Sequence, residues 1–191
     1  MKRINKFNTL LVLSIAITLV IGCSGGNQQA EANKIVDTAN KKLDETKDLY
    51  SKTEARNSTL FSANIQTIQQ LFYYKAKMGS EAKSIVTDYE KVADNLKDIA
   101  KQYDEISRLN VDDKYKEYAK LKSDEFAKRA EAVGVRKGNA QAFAEIDDPK
   151  ILTAKFAENN TKSDKLFKDA EDTAGKAKKI EEDNKEIFKQ A

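Results

Sequence analysis

The chain has 191 residues, 34% of them charged and 40% hydrophobic, with one proline, seven glycines, no tryptophan and no histidine. The lack of histidine excludes di-iron sites built on Glu-x-x-His pairs, histidine-ligated haem, His-containing zinc sites and Ser-His-Asp catalysis. The formal charge of +3 comes entirely from Lys2, Arg3 and Lys6: no acid precedes Cys23, so the remainder balances 31 basic against 31 acidic residues and has no electrostatic footprint for nucleic acid.

Those three cations form a positive leader, and Leu10 to Ile21 follow as an apolar run broken only by Ser14 and Thr18. The pattern is that of a secretory signal peptide over residues 1–22. The run falls well short of the ~20 residues a spanning helix needs. It ends at Val20-Ile21-Gly22-Cys23, which resembles the lipobox of bacterial lipoproteins: an aliphatic residue three positions before the cysteine and a glycine directly before it. The resemblance covers the export signal alone, and Val20 stands where leucine is commonest. It implies cleavage between Gly22 and Cys23, a diacylglycerol on the Cys23 thiol and usually acylation, as by palmitate, of the new amine. Two or three acyl chains exceed the one-chain threshold for marginal membrane binding. The expected localisation is a cell membrane or outer membrane, lipid-anchored and facing the periplasm or the exterior. Ser24 after the cysteine favours the outer membrane if the cell has two. Cys23 is the only cysteine, so no intramolecular disulfide forms and stability must come from packing.

Residues 23–29 read as the lipidated cysteine and a short polar tether, and residues 30–191 as one helical domain. The first pattern, 30–78, carries Ile35, Ala39, Leu43, Tyr50, Leu60, Ile65, Ile68, Phe72 and Ala76 at steps of three and four, with Thr46, Thr53, Asn57 and Asn64 between them. A break near Asn57 or at Gly79 fits. Gly79 is preferred because Gly-Ser supplies a stop and then an N-cap. Residues 80–109 hold the cleanest stripe, Ala82, Val86, Tyr89, Val92, Ala93, Leu96, Ile99, Ala100, Tyr103 and Ile106.

The third pattern, 112–146, opens on an Asp112 cap and carries Tyr115, Tyr118, Ala119, Phe126, Ala130 and Val133, with Lys122 where an apolar residue belongs. Gly134 and Gly138 suggest a kink, since each costs roughly 1 kcal/mol against Ala in a helix. The last pattern, 148–189, starts at Asp148-Pro149, an N-cap with proline in the first turn. The sum is an all-α, up-down antiparallel bundle of about four long helices with coiled-coil-like packing. Cys23 and the C-terminal residues then share one end with the turn near Asn110, and the excess length of the first helix over the second is available as a stalk.

No residue set carries catalysis. Asp112-Asp113 and Asp147-Asp148 lack the spacing of a calcium loop and read as caps, and Glu181-Glu182-Asp183 reads as a solvated face paired to neighbouring lysines. No enzyme activity, metal or cofactor is expected. Tyr73, Tyr74, Tyr89, Tyr103, Tyr115 and Tyr118 are candidates for a groove or partner surface, with core packing the commoner fate. Tyr73 and Tyr74 stand out, because adjacent helix positions do not both face one core. The expected role is structural or protein-interacting in the cell envelope: the lipid bilayer is a partner through acylated Cys23, together with an envelope protein or a second copy. The alternative is a small-ligand sensor with an aromatic-lined cavity between helices.

Overall fold

The computed structural model describes residues 26–61 and 65–189, and Gly22, Cys23 and the signal segment lie outside them. The described residues form a helical bundle of α1 (Gly26–Phe61), α2 (Ile68–Ile106), α3 (Asp113–Glu145) and α4 (Pro149–Asp183), with a short α5 (Lys185–Lys189). Each long helix runs antiparallel to the next. The Asn110 backbone N–H donates to the Gln28 side chain, which sets the start of α1 beside the turn between α2 and α3. Lys75 Nζ donates to Asp147 at 2.6 Å and to the Ala144 carbonyl at 3.2 Å, which sets the start of α2 beside the turn between α3 and α4. α2 packs on α3, α3 on α4 and α1 on α2, while α1 and α4 meet through Tyr50 and Phe167, 6.1 Å between ring centroids.

The helix starts follow from local chemistry. Thr67 caps α2 in a capping box, its hydroxyl accepting from Gln70 N at 3.2 Å while Gln70 Oε1 accepts from Thr67 N at 3.1 Å. Asp112 caps α3 by accepting from Lys114 N at 2.7 Å. Asp148 accepts from Lys150 N and Ile151 N, and Pro149 occupies the first turn. Between the caps, Tyr89, Val92, Leu96, Ile99, Tyr103 and Ile106 of α2 are buried as expected, while Ile85 takes the fully buried position expected of Val86, which is half-buried. At about 1.5–3 kcal/mol for each large apolar side chain, that stripe is the main source of cohesion.

Several sequence-based boundaries are corrected. The first helix ends at Phe61, not at Gly79, because the Thr67–Gln70 box starts a new helix earlier and Gly79 is carried inside α2. At 36 residues against 39, α1 is no longer than α2, and the described residues hold no stalk of excess helix. The tether expected over 23–29 is helical from Gly26, where Gln28 bonds to Asn110 and Gln29 reaches Asn33 at 3.5 Å. α3 is unbroken through Gly138, which is there for close approach: a Cβ at that position would lie 3.1 Å from Asn159 Nδ2. The last long helix stops at Asp183, where Asn184 donates its amide to the Ile180 carbonyl at 2.7 Å and takes a non-helical backbone.

Candidate functional site

The two ends of the bundle differ in what they expose. At the end remote from Gly26, Ile68 (51% exposed), Phe72 (54%), Tyr73 (62%) and Ile151 (59%) are large apolar residues left to solvent. Tyr73 and Tyr74 lie ring-edge to ring-face at 5.5 Å, with Tyr73 outward and Tyr74 half-buried against the core. The expectation that the adjacent pair splits between surface and interior matches this placement. The three- and four-residue spacing predicts Ile68 and Phe72 as core positions of the first helix. They are exposed because the break at residues 65–67 rotates the following turns, leaving Leu71 as the fully buried residue of that segment.

The register of the cross-helix bonds explains why the site is open. Arg56 of α1 donates to Glu81 at 2.5 Å, Ser84 at 2.8 Å and Asp88 at 2.5 Å on α2, so position 56 is level with Ser84. α1 ends five residues later at Phe61, and α3 ends close to Lys75, which bonds to the Ala144 carbonyl. The turns of α2 from Ile68 to Tyr74 therefore run on past the last turns of both neighbours. From Asn57 to Tyr74 the sequence also contains no charged residue, in a chain that is 34% charged. That interruption of charge is the signal by which the sequence marks this end. Depletion of charge with exposed aromatic rings is the composition of interface centres.

The other tyrosine candidates are structural. Tyr89 donates to Glu54 Oε1 at 2.5 Å and stands 6.3 Å from Tyr50. Tyr103 stacks on Phe126 at 5.7 Å, and Tyr115 and Tyr118 enclose Phe188 at 5.2 and 5.0 Å. Burial raises the hydroxyl pKa of all five of these tyrosines, with Glu54 adding to the effect at Tyr89 and Glu125 at Tyr103. Lys122, anomalous in the sequence, places its ammonium 4.7 Å from the Phe126 ring centre and 2.6 Å from Glu125. Glu125 in turn accepts from the buried Arg129 at 2.8 Å. Apolar spacing does not single out this buried pair, since both members are charged. A second polar layer joins Arg136 to Ser163 and Asn160 at 3.0 and 2.7 Å, and Asn139 to Asn160 at 2.9 Å.

A groove of about 800 Å³ runs between α2 and α3, floored by Ala93, Ala100, Ala130 and Gly134 and edged by charged residues including Glu90 and Lys137. Its walls are alanine and salt bridges, with Tyr89 as the one aromatic contributor. Among the described residues there is no group of three or more carboxylate, cysteine or histidine side chains placed to hold a metal ion, and no helix is long and apolar enough to cross a membrane. Glu181 is half-buried, and loss of solvent raises its carboxyl pKa; the neighbouring Glu182 pairs with Lys178 at 3.4 Å. Compared with protein-family models, with curated proteins and with solved structures, the chain matches none.

Proposed function

We propose that this chain is an exported, lipid-anchored lipoprotein whose bundle holds an apolar, aromatic contact surface away from the membrane. The observation that carries this reading is the polarity of the bundle. Cys23 is three residues before Gly26, a separation of about 11 Å at most, and Gly26 opens the helix whose far end lies beside the exposed Ile68, Phe72 and Tyr73. At 1.5 Å per residue, the 36-residue α1 spans about 54 Å. An acyl anchor on Cys23 therefore puts the apolar end at the greatest distance from the bilayer.

The mature domain supports no attraction to anionic lipid, since its charges balance. Membrane retention then depends on the thioether at Cys23. Blocking lipoprotein signal cleavage with globomycin should accumulate the precursor, and mass spectrometry of the mature N-terminus should find an acylated Cys23. Cys23→Ser, with residues 1–22 replaced by a leader cut by the ordinary signal peptidase, should move the protein from the membrane to the soluble fraction. An unmodified Cys23 at the mature N-terminus, or a membrane-bound Cys23→Ser chain whose leader has been removed, rules the anchor out.

A further inference from the structure

We propose that α5 is a C-terminal strap, hinged at Asn184, whose closing over Tyr115 and Tyr118 sets how firmly the start of α1 is held. The observations that carry this do not depend on acylation of Cys23. Asn184 separates α5 from α4: its backbone lies at φ −131° and ψ 41°, and its side chain donates to the Ile180 carbonyl at 2.7 Å, which ends the ladder of α4. The 5 residues of α5 are far fewer than the ~12 that an isolated helix needs to persist in water. It therefore keeps its place by docking.

The docking rests on one ring. Phe188 is 8% exposed, stacked on Tyr115 at 5.2 Å and edge-on to Tyr118 at 5.0 Å, while Ile187 is half-buried and Lys185 and Glu186 are exposed. Beside that ring, the Tyr115 hydroxyl makes its buried bond to Asn33 Oδ1 at 3.1 Å, from α3 to α1. The start of α1 has few other large holds. Before Tyr50 its buried apolar side chains are Ala32, Val36 and Ala39, with Ile35 and Leu43 half-buried, and the Gln28–Asn110 bond is exposed. A hydrogen bond screened from water is stronger than one that water reaches. When Phe188 leaves, water gains access to Tyr115 and competes for its hydroxyl, so the hold on Asn33 weakens. The C-terminal segment and the first turns of α1 thus open as one local unit.

Limited trypsin cleavage of the full chain tests the hinge, and amide hydrogen exchange read by mass spectrometry tests the coupling. Trypsin should cut after Lys185 about tenfold faster than after Lys178 or Lys179, which are also exposed but lie within α4. Phe188→Ala should raise exchange across residues 28–40 about fivefold and leave residues 68–78, at the other end of the bundle, unchanged. A chain ended at Asp183, which lacks the strap outright, should repeat that rise. Tyr115→Phe should give the rise with no change in cleavage after Lys185, because it removes the link to α1 and keeps the ring on which Phe188 stacks. Equal cleavage after Lys185 and Lys179, unchanged exchange at 28–40 in the strapless chain, or an equal rise at 28–40 and 68–78 overturns the proposal.

Discussion

The Tyr115 hydroxyl donates to Asn33 Oδ1 at 3.1 Å, joining positions 82 apart in a fully buried bond between the first turns of α1 and α3. Tyr115 also stacks on Phe188, so its ring packing survives loss of the hydroxyl. Tyr115→Phe should therefore isolate the hydrogen bond, at a cost of about 1 kcal/mol. Urea unfolding should show a lower midpoint at unchanged slope. A midpoint equal to that of the parent would mean that Gln29, the other donor to Asn33 at 3.5 Å, suffices.

Helical glycines should respond unequally to the same substitution. A Cβ at Gly79, Gly134 or Gly175 meets nothing within 4 Å, whereas at Gly138 it would meet Asn159 Nδ2 at 3.1 Å. Ala at Gly79 or Gly134 should raise stability by roughly 0.5–1 kcal/mol through helix propensity. Gly138→Ala should gain less or lose stability as Asn159 is displaced. Thermal denaturation of the three variants side by side checks this, and an equal gain at Gly138 removes the close approach as the reason for that glycine.

The Glu125–Arg129 pair should be costly to break and cheap to replace. Arg129 is 1% exposed and Glu125 4%. Glu125→Ala leaves a guanidinium buried without its carboxylate, a loss of about 3–5 kcal/mol, while Glu125→Leu with Arg129→Met should be neutral or stabilising by comparison. Chemical denaturation of the single and double variants distinguishes these outcomes. A single variant as stable as the double would show that the carboxylate does not hold Arg129.

Stability should fall at alkaline pH through the buried tyrosines. Desolvation holds the pKa of Tyr50, Tyr89, Tyr103, Tyr115 and Tyr118 above 10 in the folded chain. The folded state keeps protons that the unfolded state releases, so this contribution is fully present below about pH 10 and is lost as pH rises above it. Thermal midpoints across pH 8–11.5 should decline steeply from about pH 10, with tyrosinate absorbance appearing together with unfolding. Glu181 acts at the acid side: its raised pKa makes the charged form unfavourable in the fold, so Glu181→Gln should stabilise at pH 7 and have no effect at pH 3.

The bundle and the caps at Asp112 and Asp148 were legible because apolar periodicity and short-range capping are local. The stripe from Tyr89 to Ile106 needed only its own spacing, which nonetheless put Val86 where Ile85 is buried. The break before Ile68 was not legible from periodicity, since Leu60, Ile65, Ile68 and Phe72 keep a helical phase across a segment that is not helical; the Thr67-x-x-Gln70 box was the usable signal. Gly138 misled because its purpose lies on another helix, at Asn159. Tyr73 was legible as an outlier from its neighbour Tyr74, while the exposure of Ile68, Phe72 and Ile151 depends on where α1 and α3 stop, which apolar periodicity does not encode. Cys23 and Gly22 rest on the lipobox resemblance, outside the described residues.

The antiparallel pairing of α1 with α2 also fixes how the molecule carries a pull. A pull applied at the start of α1 and at Ile68 enters and leaves the chain at the two ends of α1, so its backbone and the turn after it carry the load. The cross-links to α2, from Lys42–Asp98 at 2.8 Å through Glu54–Tyr89 to Arg56–Asp88, lie beside that path and hold α1 against a partner along its length, so they resist its unravelling and bear no direct tension.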